Sequence, residues 1–411
     1  DKFKIKVIGS VSELITEINK SIDSGFMKKN PFENFIPEDM SDKNYNKIDL
    51  HKNIVDNIIL VDKESDTPLY RENDLIDVWF DSGAMPYAQW HYPFENKEKI
   101  DNEKAYPADF IAEGIDQTRG WFYTLHAISS IVFNKKAYKN VISNGLVLDK
   151  EGQKMSKRLG NSVDPFKTIE KYGPDATRWY MISNANPWDN LKFDLDGISE
   201  VQRKFFGTLY NIYSFFSLYA NIDGFIPNNI ESQVQQKNEL DNWIISELNS
   251  LIIQVENYYN DYEPTKVCRS ISEFVQEKLS NWYVRLSRRR FWKGEFGSDK
   301  NSAYQTLYKC LITISKLSAP IAPFYMDHLY INLTKNFPKQ KYPESVHLTD
   351  FPTANKNKID LTLQNRINKA RVITSLALSL RKKEQIKVRQ PLKKIMVPVN
   401  TEKERQDIIS I

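Results

Sequence analysis

The chain contains 411 residues, which is enough for two or three domains. Its hydrophobic content of 41% excludes a disordered polyelectrolyte, and the lack of any run of about 18 apolar residues excludes a membrane span. The 57 Lys and Arg residues nearly balance the 53 Asp and Glu residues, and the net charge of +4 excludes a generally cationic, histone-like protein. Any nucleic acid would therefore have to bind at local basic patches. Two cysteines, Cys268 and Cys310, exclude a disulfide framework or a zinc ribbon in this chain and predict a reducing, cytoplasmic location.

The first 197 residues predict an α/β region. A strand is expected at residues 3–8 and a helix at 10–21, and short β-branched runs predict further strands at 54–61, 76–80, 110–113 and 141–148. A helix-length stretch at 117–133 separates the last two runs. This strand–helix–strand spacing predicts a βαβ unit with parallel strands.

From about residue 198 the hydrophobic period becomes helical. Apolar residues recur every three to four positions over 205–216, 244–259, 267–282 and 304–314, which predicts a bundle of amphipathic helices. The polar stretch 228–239 is expected to link the first two helices, and Pro264 to end the second. Further predicted elements are a helix opened by Pro320 and Pro323, a long helix from about 355 to 383, and a strand at 394–399.

The strongest local signal is the octet Lys-Met-Ser-Lys-Arg-Leu-Gly-Asn at residues 154–161, called the lysine loop below. Lys154 and Lys157 are three residues apart between Gly152 and Gly160, so two ammonium groups can reach the same polyanion. Such point charges suit the β- and γ-phosphates of ATP, where the protein has to stabilise charge and supplies no covalent group. A solvated basic turn is the alternative for a bare pair of lysines.

A second group begins with Glu113 and Gly114, follows a predicted strand and opens a helix. Gly114 permits a ligand to approach the backbone, while Glu113 and Asp116 can accept hydrogen bonds from ribose hydroxyls or an ammonium group at the carboxyl end of a strand. The alternative is an acidic first turn that stabilises the helix, with Trp121 in the core.

A third group, Asp-Val-Trp-Phe-Asp-Ser-Gly at residues 77–83, places Trp79 at the end of a predicted strand. A tryptophan beside a small polar turn can wall an apolar pocket. A tryptophan packed in a core is the commoner case.

The helical region contains a candidate RNA-binding face. Arg285, Arg288, Arg289 and Trp292 share one side of a helix because of their spacing. Arginines interleaved with aromatic residues suit an RNA backbone and unstacked bases. A solvated, ion-paired face or an interdomain contact is the alternative.

Together, the lysine loop and the segments 113–122 and 77–83 resemble class I aminoacyl-tRNA synthetases, and among these the isoleucyl-tRNA synthetase family. The loop is similar to the family signature written K-M-S-K-S, with Arg158 at the fifth position. Further agreement lies at residues 49–56, 164–165, 172–178 and 388–392. The valyl-tRNA synthetases differ in sequence at the segments 113–122 and 77–83, which disfavours a synthetase for valine.

The resemblance implies an α/β plus all-α fold, with the second half of a class I Rossmann-like nucleotide-binding domain followed by an α-helical anticodon-binding bundle. The implied division is a return segment from an editing insertion at 1–48, the catalytic half with the stem-contact region at 49–197, the bundle at 198–354 and the start of a C-terminal region at 355–411. Neither an H-x-G-H motif nor an editing domain is recognisable. We therefore expect a C-terminal portion of a synthetase that is inactive alone.

The implied activity is ATP-dependent conversion of isoleucine to isoleucyl-adenylate and transfer to tRNA(Ile), by a monomer that uses Mg²⁺ with ATP and binds no metal through this chain. A non-catalytic tRNA-binding module derived from a class I synthetase is the alternative.

The resemblance also assigns roles to residues. Lys157 would contact ATP and Lys154 the pyrophosphate leaving group, within an ATP-binding set completed by Met155, Ser156 and Arg158. Glu113 and Gly114 would contact the adenylate, Asp116 and Gln117 the ribose and the ammonium group, and Trp79 and Trp121 the isoleucine side chain. The helix face formed by Arg285, Arg288, Arg289 and Trp292, called the arginine face below, would contact tRNA.

Overall fold

Two compact units make up the described part of the chain. The computed structural model describes residues 4–39, 41–74, 76–227, 238–335 and 342–409. One unit extends to Asp109 and also includes Arg119–Lys139, and the other comprises Phe110–Thr118 and the residues from Asn140 onward. No helix in these ranges is both long and apolar enough to cross a membrane.

The first unit is mainly helical and contains one hairpin. Strands β1 and β2 of the hairpin pair antiparallel, with Ile59 opposite Tyr70. A small core is formed by Ile18, Phe32 and Phe35 with Ile58. The elements in chain order are α1 (Val11–Asp23), α2 (Asp42–Tyr45), α3 (Lys52–Val55), β1 (Ile59–Asp62), β2 (Thr67–Tyr70), α4 (Val78–Ala88), α5 (Lys97–Asp101) and α6 (Trp121–Phe133).

Helix α1 confirms the helix predicted at residues 10–21, and the Ser10 hydroxyl caps it by accepting from the Glu13 N–H at 3.1 Å. The strand predicted at 3–8 is wrong for residues 4–8, because Ile5 and Val7 are exposed and none of the described strands pairs with them. Residue 3 lies outside the described residues. The strand predicted at 54–61 starts only at Ile59, since α3 occupies the beginning of that run.

The segment around Trp79 is a helix and not the predicted strand at 76–80. Helix α4 begins at Val78, and the Asp77 carboxylate accepts a hydrogen bond from the Trp79 N–H at 2.7 Å. Residues Gly83 and Ala84 are buried in this helix. The β-branched and aromatic residues favoured a strand, but the acidic cap and the small residues permit a helix that packs closely against α6.

The contact between α4 and α6 depends on Gly83. A Cβ atom at this position would lie 2.6 Å from Ile128 Cδ1 and 3.1 Å from the Thr124 carbonyl oxygen. We expect Gly83→Ala to destabilise the first unit by about 1–3 kcal/mol through overpacking. Urea unfolding measures this loss, and Ser130→Ala on the exposed side of α6 is the control, with a change within about 0.5 kcal/mol. Equal stability of the two variants would contradict the packing argument.

Two small sheets lie largely in the second unit. Strands β3 (Ala108–Gly114) and β4 (Tyr138–Asn144) are hydrogen-bonded neighbours, and β5 (Val147–Leu148) pairs parallel with β6 (Leu191–Lys192). The predicted strand at 141–148 is therefore interrupted. The interruption falls at Gly145, where a Cβ atom would lie only 2.3 Å from the Asp189 carbonyl oxygen.

The predicted order of strand, helix and strand is confirmed by β3, α6 and β4, but the helix begins later than residue 117. Residues Ile115–Arg119 form a 3₁₀ turn, and α6 starts at Trp121 after Gly120. The polar residues of this turn consequently lie outside the α-helix.

The remainder of the second unit is helical, which confirms the predicted bundle. Two π-helical segments, Gln202–Phe206 and Phe274–Val284, join consecutive helices. The helices in chain order are α7 (Pro165–Tyr172), α8 (Pro174–Asn184), α9 (Leu195–Val201), α10 (Gly207–Ile222), α11 (Glu239–Asn260), α12 (Pro264–Glu273), α13 (Arg285–Trp292), α14 (Ser298–Ser318), α15 (Pro323–Thr334), α16 (Leu361–Lys383) and α17 (Glu402–Ile409).

One continuous apolar core runs from α8 through the bundle. Trp179 of α8 is buried and stacks on Phe205, with ring centroids 4.1 Å apart and planes 13° apart. The Trp179 Nε1–H also donates to Ser272 Oγ at 3.2 Å. Helix α8, the second helix after the lysine loop, is therefore part of the bundle core.

Three predictions about the helical region need correction or remain open. Pro264 does not end the second helix; α11 stops at Asn260, and Pro264 is the first residue of α12, where its missing N–H has no partner to lose. Residues 394–399 form no strand, since Ile395 and Met396 are exposed and unpaired with any described strand. Most of the predicted linker, residues 228–237, lies outside the described residues.

A buried polar network ties α11 to α13 and α14. Asp241 is fully buried and accepts two hydrogen bonds from the Arg290 guanidinium, both at 2.8 Å. It also accepts from the Tyr283 hydroxyl at 2.7 Å and from Ser302 Oγ at 2.9 Å. Arg290 extends to the more exposed Asp299, at 2.7 Å. These contacts give the buried carboxylate four donors.

Candidate functional site

The lysine loop is held by polar contacts at its base and by one apolar contact. Ser156 Oγ accepts from the Leu159 N–H at 3.2 Å and caps a 3₁₀ turn, and Gly160 ends that turn with a left-handed φ of 67°. Met155 is half-buried and packs against the core of the bundle. The loop is thus an ordered turn fixed to the helical core.

The basic side chains of the loop point outward. Lys154, Lys157 and Arg158 are exposed. Within the described ranges none of the three is in an ion pair. The solvated-turn alternative fits this exposure as well, but the charges remain available for an anionic ligand.

The second group brings Gly114, Asp116 and Gln117 together at the end of β3. A Cβ atom on Gly114 would lie 2.6 Å from Asp116 Oδ1, so a side chain here would displace this carboxylate from its position over the strand end. Gln117 Nε2 donates to Asp116 Oδ2 at 3.1 Å. Glu113 and Asp116 are both exposed, which leaves their carboxylates free to accept from a polar ligand.

The two predicted pocket tryptophans belong to the first unit. Trp121 is half-buried and its Nε1–H donates to the Ser82 carbonyl oxygen at 2.9 Å, so this indole is fixed between α6 and α4. Trp79 lies in the first turn of α4 and is 44% exposed. Trp79 and Trp121 are therefore on packed neighbouring helices, while the lysine loop and Glu113–Gln117 belong to the second unit.

Helix α13 presents the predicted arginine face. Arg285, Arg288 and Arg289 are exposed, and Trp292 is 53% exposed. In the part of the chain that is described, none of the three arginines forms an ion pair, which disfavours the ion-paired alternative. Arg290 has a different role, since it turns inward to Asp241. The run of three arginines did not indicate which one would turn inward.

A groove of about 300 Å³ in the second unit is separate from the predicted site residues. Its walls include Phe110 and Tyr262, whose rings stack with centroids 4.9 Å apart, together with Trp188 and Ser143. None of the residues that the resemblance assigns to ATP or to the adenylate lines it. The candidate site is consequently defined by the two polar segments and not by this groove.

Sequence reasoning missed Asp149 and Asn161, whose side chains hold the base of the lysine loop. Asn161 Nδ2 donates to Asp149 Oδ2 at 2.8 Å. The sequence signal was present in the last residue of the octet, an asparagine that directly follows a turn glycine.

Two protein families match the chain. The family described as tRNA synthetases class I (I, L, M and V) matches residues 25–194, and the anticodon-binding domain of tRNA ligase matches residues 241–396. The first match includes the lysine loop and Glu113–Gln117, and the second includes the arginine face. The chain therefore contains a class I tRNA synthetase domain and a tRNA ligase anticodon-binding domain.

Within that class, the chain is similar to isoleucine–tRNA ligases. It is 60% identical to the ligase of Bacteroides thetaiotaomicron over 98% of this chain and 35% of that protein. It is also 60% identical to the ligase of Cytophaga hutchinsonii over 96% of this chain and 34% of that protein. The chain thus spans about a third of the length of these curated relatives.

Solved structures share the fold at low sequence identity. A LeuRS–tRNA–LeuAMS complex from Agrobacterium radiobacter has a TM-score of 0.58 and 17% identity, covering 74% of this chain and 36% of that one. The methionyl-tRNA synthetase of Mycobacterium tuberculosis bound by methionyl-adenylate has a TM-score of 0.53 and 19% identity, covering 68% and 55%. The class I catalytic fold and the helical anticodon-binding domain implied by the resemblance are confirmed.

Proposed function

We propose that the full-length protein activates isoleucine with Mg²⁺–ATP and transfers it from isoleucyl-adenylate to tRNA(Ile). The observation that carries the proposal is the ordered lysine loop, with two exposed lysines that form no ion pair with any described residue, in a chain that is 60% identical to isoleucine–tRNA ligases. Isoleucine-dependent exchange of pyrophosphate into ATP by the full-length protein is the test. The domain limits at residues 48, 197 and 354 belong to the same proposal.

In the first step the isoleucine carboxylate attacks the α-phosphorus of ATP, a carboxyl–phosphate bond forms, and the bond to pyrophosphate breaks. Lys157 would stabilise the charge that develops on the phosphates, and Lys154 the departing pyrophosphate with its Mg²⁺. Met155, Ser156 and Arg158 complete the proposed ATP-binding set. The half-buried Met155 supports this role by holding the loop on the helical core.

The carboxyl end of β3 would hold the polar part of the adenylate. Glu113 and Asp116 are exposed acceptors suited to ribose hydroxyls and the isoleucine ammonium group, and Gln117 can both donate and accept. Gly114 allows the ligand to approach the backbone as closely as Asp116 does here. The hydrogen bond between Gln117 and Asp116 supports a common function for these side chains.

Trp79 and Trp121 would enclose the isoleucine side chain. The hydrogen bond of Trp121 to Ser82 supports a fixed apolar wall. Such a pocket separates isoleucine from valine by one methylene, worth only about 1–3 kcal/mol, which is why a synthetase of this kind also needs an editing step.

The arginine face of α13 would bind the phosphate backbone of tRNA. We expect a combined Arg285→Ala, Arg288→Ala and Arg289→Ala variant to bind tRNA more weakly and with a smaller salt dependence. The slope of log K against log salt falls by about 0.9 for each phosphate contact removed. Binding titrations at several salt concentrations measure this slope.

Lys266→Ala is the matched control for the arginine face, because Lys266 is exposed but already paired with Glu263 at 3.0 Å. An unchanged slope in the triple variant, equal to that of the control, would contradict the assignment of tRNA to this face.

A non-catalytic tRNA-binding module remains the second candidate, supported by the size of the helical core relative to the small sheets. It would bind tRNA without any amino-acid-dependent exchange. Residues 1–411 alone are proposed to be inactive, since the sequence lacks the H-x-G-H half of the ATP site. A cytoplasmic monomer is part of the proposal, and the buried cysteines Cys268 and Cys310 are compatible with a reducing compartment.

A further inference from the structure

We propose that Asn161 is a positioning residue for ATP activation. Its side-chain amide, anchored on Asp149, fixes the backbone between Lys154 and Lys157 and so keeps both ammonium groups directed at one polyanion. The inference rests on the proposed function, because it assigns the lysine loop to ATP.

All polar atoms of the Asn161 side chain are engaged at the base of the loop. Its Oδ1 accepts from the Ser156 N–H at 2.9 Å. Its Nδ2 donates to Asp149 Oδ2 at 2.8 Å and, at 3.3 Å, to the Lys154 carbonyl oxygen. The amide thereby holds the carbonyl group of Lys154 and the N–H group of Ser156, the residue directly before Lys157.

Asp149 is itself held in a tight turn. Its Oδ1 accepts from the Gln153 N–H at 2.7 Å, and its own N–H donates to the Gln153 carbonyl oxygen at 2.9 Å. Gly152 allows this turn with a left-handed φ of 90°. The hydrogen bond from Asn161, followed by that from Gln153, lowers the pKa of the Asp149 carboxyl, so the acceptor is ionised at neutral pH.

The other constraints on the spacing of the two lysines are local. An isolated antiparallel β-bridge joins the backbone of Lys154 to that of Leu148 at the start of the loop. Met155 is held by apolar packing, and Ser156 caps the following 3₁₀ turn. Both lysine side chains are exposed, so their reach is set by the backbone to which they are attached. A shift of about 1 Å in a positioning element can reduce a reaction rate about 10²-fold. The Asn161 amide is therefore placed to control the rate without touching ATP.

The first test is Asn161→Ala in the full-length protein, assayed by isoleucine-dependent ATP–pyrophosphate exchange. We expect kcat to fall about 10²-fold while the KM for isoleucine changes less than about 3-fold, since the amino-acid pocket is untouched. The control is Ser162→Ala, which alters the exposed neighbouring residue and should leave both constants within about 2-fold. An unchanged kcat in Asn161→Ala would overturn the proposal.

The second test exchanges the two partners. Asn161→Asp alone would place two carboxylates where Asn161 Nδ2 now lies 2.8 Å from Asp149, and we expect kcat to fall at least as far as in the alanine variant. Combining Asn161→Asp with Asp149→Asn restores a donor and an acceptor at this contact. The kcat of the double variant should be at least about 10-fold higher than that of Asn161→Asp alone. Additive losses in the double variant would count against the pairing.

A third measurement does not depend on activity. Lys154, Lys157 and Arg158 are exposed trypsin sites, and loss of the amide should increase cleavage after them about 10-fold in the full-length Asn161→Ala variant. If the wild-type protein shows no isoleucine-dependent exchange, the proposed function fails while this measurement still tests the loop. Faster cleavage with normal exchange would overturn a positioning role, and unchanged cleavage would overturn the role of the amide in loop order.

Discussion

Replacing Lys157 by alanine in the full-length protein is expected to reduce the kcat of isoleucine-dependent ATP–pyrophosphate exchange about 10²–10³-fold. The ammonium group is exposed and has no ion-pair partner in the described part of the chain, so its charge is available to the phosphates. Its effect is expected mainly in the transition state, where negative charge moves toward the leaving pyrophosphate. Lys154→Ala should lower kcat in the same way, because Lys154 lies beside that leaving group in the proposal.

Lys150→Ala is the control for these variants. Lys150 is also exposed and lies on the turn before the lysine loop, with its Nζ 3.7 Å from Glu151 Oε1. Its loss should change the rate less than about 2-fold. If Lys157→Ala kept more than about half of the wild-type rate, the loop would not act on ATP and the solvated-turn alternative would hold.

The largest effect on stability is expected from Asp241→Ala. This carboxylate is fully buried and is the shared acceptor for Arg290, Tyr283 and Ser302. Its removal leaves a guanidinium, of which only 12% is exposed, without its buried counter-charge. Breaking such a pair from one side costs about 3–5 kcal/mol. Urea unfolding followed by far-ultraviolet circular dichroism measures this loss in the helical bundle.

Asp299→Ala separates the buried interaction from the exposed one. Asp299 contacts the same guanidinium at 2.7 Å, but its side chain is 62% exposed, so we expect a loss of no more than about 1 kcal/mol. Equal losses in the two variants would indicate that burial of Asp241 does not determine the energy of the network. Helix α13 carries the arginine face, so Asp241→Ala should also weaken tRNA binding under conditions where the bundle is partly unfolded.

Much of the helical architecture was predictable because long amphipathic helices repeat their signal over many residues. The stripe that runs over 244–259 identified α11, and the stripe at 304–314 identified α14. Local signals were less reliable where one capping residue decides the conformation. Asp77 converts a β-branched and aromatic run into helix α4, and Pro264 begins α12 instead of ending α11.

Tertiary contacts set the remaining limits of prediction. Nothing in the local pattern around Gly145 reveals that Asp189 comes close enough to exclude a side chain. The inward orientation of Arg290 depends in the same way on Asp241, 49 positions earlier in the chain. For the candidate site, the residue types and the lysine spacing were evident in the sequence. The contact of Asn161 with Asp149 was not, because it depends on how the loop closes.

The most direct test of the central claim is ATP–pyrophosphate exchange by the full-length protein in the presence of single amino acids. We expect isoleucine to support exchange, valine to support it more weakly by a factor of about 10–200, and leucine and methionine to support almost none. Exchange driven best by another amino acid would contradict the assignment to isoleucine. Absence of exchange with every amino acid, together with intact tRNA binding, would favour the non-catalytic module.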